Sequence, residues 1–193
     1  MVRKPSLLIL KLTPESVEDK SERWLLWELM RILGLRKYVR FPKVKGKEDF
    51  LNLLDDASED YIHIGAHGVR YRRRTSLLTP RKAQIFPEDL KGLWVTKRKK
   101  PELVVLSACY AGHSDLVKSF SEAGCRYIIA PLHETYWDDA ALFSAIFYKI
   151  LLGERKSPWI SYKRAMRGVK AAFSDLSGAW RFYRYGKPVP IEY

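Results

Sequence analysis

The chain has 193 residues, a length suited to one domain with its own buried core. Apolar residues make up 47% and charged residues 30%, a globular composition that excludes wholesale disorder. Thirty-five basic against 22 acidic side chains leave a net charge of +13. No uncharged apolar run reaches the roughly 18 residues of a membrane span. The apolar part of the basic N-terminus, Leu7 to Leu10, is too short for a secretory signal, so an intracellular, cytoplasmic protein is expected. Two cysteines, Cys109 and Cys125, build no disulfide framework, and no histidine stands at zinc-finger spacing from them. No metal and no cofactor is expected.

In chain order the pattern alternates strand and helix. Ser6–Leu12 reads as a buried strand. Asp19 and Ser21 offer a helix cap, followed by Leu25, Leu29, Ile32 and Leu33 at helical spacing up to Gly34. Lys37–Val44 alternates and is predicted as a strand near an edge, because Pro42 interrupts it. Lys47–Asp55 predicts a short helix, and Asp60–Gly65 a strand with His67 and Gly68 beyond its end. Arg70–Leu78 reads as a hairpin or a loop. Pro87–Leu90 starts a short helix, with proline in the first turn. Leu103–Ser107 is the clearest strand, and Asp115–Ala123 a helix closed by Gly124. Arg126–Pro131 is another buried strand. Asp138–Leu152 is an amphipathic helix with Phe143, Ile146, Phe147, Ile150 and Leu151 on one face. Ser161–Phe173 predicts a further helix and Trp180–Tyr185 a late strand.

Apolar strands alternating with helices imply an α/β domain, a mostly parallel sheet covered on both faces. In such sheets ligands bind beyond the carboxyl ends of the strands. Two of those ends carry reactive groups, in IHIGAHG (Ile62–Gly68) and in VVLSACYAG (Val104–Gly112). A thiolate at Cys109 is a nucleophile, and an imidazole at His67 promotes its formation and protonates a leaving amine. Backbone N–H groups of Gly68 and Cys109 are candidates to face a developing oxyanion. The small residues Ser107, Ala108, Ala111 and Gly112 leave room for a peptide. No third residue to orient His67 stands out.

A strand ending in His-Gly, then one ending in Ser-Ala-Cys with a small-residue turn, resembles the caspase-like cysteine peptidases, and most closely the CHAT group with its separase relatives. The segment EAGCRYIIAPLHETYWDDAALFSAIFYKILLG and the late GAWRFYRYG are similar to that family's closing strands and helix. His67 and Cys109 match the catalytic pair and lie 42 residues apart, against roughly 50 in caspases. The resemblance spans about Leu51 to Gly186. It implies a caspase-like three-layer sandwich, one CHAT-type domain over residues 1–193, a protein or peptide substrate and a separate regulatory protein.

Each site residue has a plainer reading as well. Cys109 alone would be taken for a buried thiol, and Cys125, opening a strand, is one. His63 shares the sheet face opposite Ile62 and Ile64 and reads as a core histidine. His113 follows the cysteine turn and reads as solvated. His133 is placed to line the substrate groove. Glu134, Asp138 and Asp139 form an acidic group that fits either a pocket for a substrate Arg or Lys or the capping of a helix. Basic residues cluster at Arg36–Lys47, Arg70–Lys82 and Lys97–Lys100, with Tyr71 among them. Those clusters support a second class of function, a non-catalytic domain binding nucleic acid or an acidic partner. They are scattered, and no nucleic-acid-binding signature accompanies them. No GxGxxG or GxxxxGK[ST] is present, which disfavours a nucleotide-handling protein.

Overall fold

A computed structural model describes residues 4–13, 20–72, 74–172 and 180–190. Five strands lie parallel: β1 (Leu7–Lys11), β2 (Val39–Arg40), β3 (Tyr61–Gly65), β7 (Leu103–Ser107) and β8 (Tyr127–Pro131). Two more, β9 (Trp180–Arg184) and β10 (Lys187–Pro188), add antiparallel, in the order β10-β9-β8-β7-β3-β1-β2. A second sheet is a hairpin of β4 (His67–Tyr71) and β5 (Arg74–Leu78) extended by β6 (Gln84–Ile85).

The strands are continuous apolar runs because both faces are covered. Leu8, Leu10, Ile62, Ile64, Val104, Leu106 and Ile128 pack on one side with α2 (Lys47–Asp55), α3 (Ser114–Glu122) and Trp94. Leu7, Ile9, Leu103, Val105 and Ile129 pack on the other with α1 (Lys20–Ile32), α4 (Trp137–Tyr148) and α5 (Pro158–Ala172). The result is a three-layer α/β/α sandwich with a mostly parallel sheet, the architecture expected from the pattern.

Several boundaries differ from the sequence reading. Lys37–Val44 is a 3-10 turn at Arg36–Tyr38, two strand residues and an isolated bridge from Lys43 to Lys11. Pro42 has no N–H to donate, which keeps the edge strand short. Arg70–Leu78 is a hairpin, and it starts earlier than expected, so His67 opens a strand. Pro87–Leu90 is a 3-10 turn, and α4 ends in a π-type turn at Lys149–Gly153. On α1 the buried stripe is Glu22, Leu26 and Met30, spaced four apart, whereas Leu25 and Ile32 are exposed. Leu29 and Leu33 of the predicted stripe are half-buried against the core, so periodicity found the inward side and misplaced its centre. Asp19, Arg73, Phe173 and the side chain of Ser21 lie outside the described residues. No helix among the described residues is long and apolar enough to cross a membrane.

Candidate active site

Strands β3 and β7 are neighbours in register, with Gly65 beside Ser107. Chain continuing from both ends therefore arrives at one place. His67, two residues past β3, and Cys109, two past β7, line a single cleft with Thr135, Trp137 and Trp180. His67 is exposed at the cleft rim, and its ring packs edge-on against Trp137, centroids 5.2 Å apart. Among the described residues neither nitrogen of that ring has a hydrogen-bond partner.

The cysteine turn is held from three directions. Gly112 N–H donates to Pro131 O at 2.8 Å, and Tyr110 N–H to His133 O at 3.2 Å. The Tyr183 hydroxyl, on β9, donates to Gly112 O at 2.5 Å. A side chain at Gly112 would meet Pro131 O at 2.9 Å, so the small residue is required for this contact. Tyr110 adopts φ +60°, a left-handed conformation that costs a non-glycine residue about 1–2 kcal/mol. It sits directly after the cysteine and turns the chain so that the half-buried Cys109 side chain faces the cleft. Thr135 borders the thiol with its backbone: its N–H donates to Sγ at 3.4 Å, and Sγ faces Thr135 O at 3.7 Å. The Cys109 N–H has no acceptor among the described residues. Gly68, at the start of β4, runs against the Cys109 backbone.

The other candidates fall elsewhere. His133, Glu134, Asp138 and Asp139 are not among the residues lining this cleft. Glu134 is exposed and accepts a hydrogen bond from the Tyr110 hydroxyl at 2.9 Å. That bond holds the Tyr110 phenol above its usual pKa. Asp138 and Asp139 start α4, where Asp138 Oδ1 accepts the Asp139 N–H at 3.1 Å, a helix-terminal role. Burial, then the neighbouring Asp138, raises the Asp139 pKa. His113 contacts Arg70 and stacks on Tyr110. Cys125 is a core thiol, its pKa pushed up to about 12 by burial. Among the described residues no group of three or more His, Cys, Asp or Glu is arranged to hold a metal.

His63 is buried at 1% exposure and belongs to a polar cluster that the sequence reading did not assemble, with Glu22, Ser107, Ser144 and Tyr148. The basic clusters are divided among separate partners. Arg40 pairs with Glu59, Lys47 with Asp89, Arg74 with Glu88 and Lys99 with Asp60, while Arg36 lies over Trp27.

No family model matches the chain, and no curated protein matches it in sequence. Solved structures do match. The Drosophila initiator caspase Dronc superposes with a TM-score of 0.61 at 8% identity, over 94% of this chain and 80% of that one. The fold is caspase-like. A secreted C11 cysteine protease from Bacteroides thetaiotaomicron gives 0.63 at 13% identity, over 95% and 67% of the two chains. Separase of Saccharomyces cerevisiae, in its complex with securin, gives 0.57 at 16% identity, covering 99% of this chain but only 12% of that one. At these identities the likeness concerns the caspase-like fold itself, and activity has to be argued from the cleft.

Proposed function

We propose that the protein is a cysteine endopeptidase of CHAT type, a single domain hydrolysing peptide bonds with His67 and Cys109. The observation that carries the reading is that these two side chains, 42 residues apart in sequence, line one cleft at neighbouring strand ends. Cys109 Sγ attacks the scissile carbonyl, and a thioester forms as the C–N bond breaks. His67 delivers a proton to the leaving amine and then accepts one from the attacking water. Hydrolysis of the thioester releases the acid and restores the thiol. The Gly68 and Cys109 N–H groups stabilise the oxyanion in both steps. Substrates are proteins or peptides.

The test is a fluorogenic peptide library varied at the residue before the scissile bond, cleaved by wild type and by Cys109→Ala. The expected result is turnover by wild type alone, with both proteins folded by circular dichroism. Cleavage that survives in Cys109→Ala refutes the assignment.

A further inference from the structure

Behind the cleft, one buried carboxylate is shared by the strands that lead to His67 and Cys109. Glu22, in the first turn of α1, is 4% exposed. Its Oε2 accepts the Ser107 hydroxyl at 3.1 Å, and its Oε1 accepts the hydroxyl of Ser144, on α4, at 2.9 Å. His63 Nε2, on β3, stands 3.3 Å from Oε1, and Nδ1 of the same ring meets the Tyr148 hydroxyl at 3.2 Å. Helices α1 and α4 and strands β3 and β7 therefore each bring a polar group to one point.

Ser107 is the junction between this carboxylate and the cleft. It is the last residue of β7, and it lines the cleft two residues before Cys109. Its hydroxyl bonds Glu22, while its carbonyl accepts the Ala66 N–H at 3.1 Å. Ala66 directly precedes His67. The pairing of β3 with β7 ends at this level, with Ser107 beside Gly65. One residue thus sets where both the histidine arm and the cysteine arm leave the sheet.

Cohesion alone does not call for a buried carboxylate here. Well-packed apolar side chains of similar volume often hold such elements together as well or better. What hydrogen bonds to an anion add is direction, because charge-assisted bonds are short, strong and mutually reinforcing at low dielectric. We infer that Glu22 is a positioning residue for His67 and Cys109, acting through Ser107, an inference that rests on the peptidase reading above. Without the carboxylate, the Ser107 hydroxyl loses its buried acceptor, turns toward another, and shifts the rung that both arms share.

Alkylation of Cys109 by iodoacetamide, followed by mass spectrometry from about pH 5 to pH 9, reads the pair without a substrate. In wild type His67 promotes the thiolate, so alkylation near pH 6 exceeds that of His67→Ala by about tenfold or more. Glu22→Ala and Ser107→Ala lose that excess. Glu22→Gln retains a carbonyl oxygen for the Ser107 hydroxyl and keeps most of it. Ser144→Ala removes an equivalent bond from the far side of the same carboxylate. It lowers the urea midpoint by an amount similar to Ser107→Ala and keeps the wild-type alkylation profile. In peptide turnover Glu22→Ala lowers kcat by about 10–100-fold and changes KM by less than about twofold. Ser107→Ala, the loss of one hydroxyl, carries the test if Glu22→Ala does not fold. A wild-type profile in folded Ser107→Ala, an equal loss in Ser144→Ala, or a glutamine variant as impaired as the alanine one overturns the inference and leaves the peptidase reading standing. A wild-type profile identical to that of His67→Ala refutes the peptidase reading itself, and leaves no pair for Glu22 to position.

Discussion

A side-chain carbon built on Gly68 would lie 1.7 Å from the carbonyl oxygen of Cys109 and 3.0 Å from its amide nitrogen. Glycine at 68 is therefore a consequence of β4 passing over the cysteine turn in backbone-to-backbone contact. The same contact brings the Gly68 and Cys109 backbones together.

Gly68→Ala has to push the turn away, because the obstruction is backbone and cannot rotate aside. The expected cost is about 1–3 kcal/mol of stability from overpacking. Displacing the nucleophile by about 1 Å is expected to lower kcat/KM by about 100-fold. Urea unfolding and peptide turnover measure the two effects. A Gly68→Ala enzyme with wild-type turnover would mean that the contact does not position Cys109.

Trp137 is the wall against which the His67 ring leans. With no hydrogen-bonded orienting residue among the described residues, the imidazole depends on that packing for its direction. Trp137→Ala is expected to reduce kcat by about 10–100-fold, within the range that acid–base catalysis supplies. Trp137→Phe keeps an aromatic wall and is expected to recover most of it. Peptide turnover resolved into kcat and KM is the readout. A change confined to KM, or no rescue by phenylalanine, would contradict the positioning role.

Much of this layout is legible in the sequence, for identifiable reasons. Strands β1, β3, β7 and β8 announce themselves because a doubly covered parallel strand has no polar side to show. His67 and Cys109 are conspicuous because glycine and small residues crowd around them at strand ends. Glu22 is hidden by comparison. An acid in the first turn of a helix is ordinarily solvated and dipole-favoured, and its burial depends on which face α1 turns inward. Leu25, Leu29, Ile32 and Leu33 mark one side, of which Leu29 and Leu33 pack on the core, and packing against α4 centres the buried stripe on Glu22, Leu26 and Met30. Ser144, a hydroxyl on the apolar side of α4, was the available clue, since a buried hydroxyl requires a partner. Asp138 and Asp139 stand in the first turn of α4, where the capping alternative in the sequence reading put them.

Trp180 tests the packing behind the cleft. It is fully buried and stacks on Phe143 with centroids 4.1 Å apart, tying β9 to α4. Its indole N–H has no partner among the described residues. Trp180→Ala is expected to cost about 3–5 kcal/mol. Trp180→Phe keeps the stack and removes an unsatisfied donor, so its expected cost is below about 1.5 kcal/mol. Urea midpoints compare the two. Equal losses would show that the indole makes a bond which the phenyl ring cannot replace.

Arg70, on β4, and His113, just before α3, are in direct contact. Burial, and then the Arg70 cation, hold the His113 pKa below its ordinary value. The sign follows from linkage. A histidine depressed in the folded state binds its proton less readily there than in the unfolded chain. The affected stability is present above the ordinary value of about 6.5 and is lost as pH falls from there through the folded pKa. Arg70→Leu removes the second cause and leaves the first. The His113 Cε1–H resonance, titrated by NMR, is therefore expected to move at higher pH in the variant, though still below an exposed histidine. The stability difference between pH 8 and pH 5 is expected to shrink with it. His113 is only partly buried, and the effect is expected to weaken as salt screens the pair. An unchanged titration in Arg70→Leu would mean that burial alone sets the histidine and that the cation is turned away from it in solution.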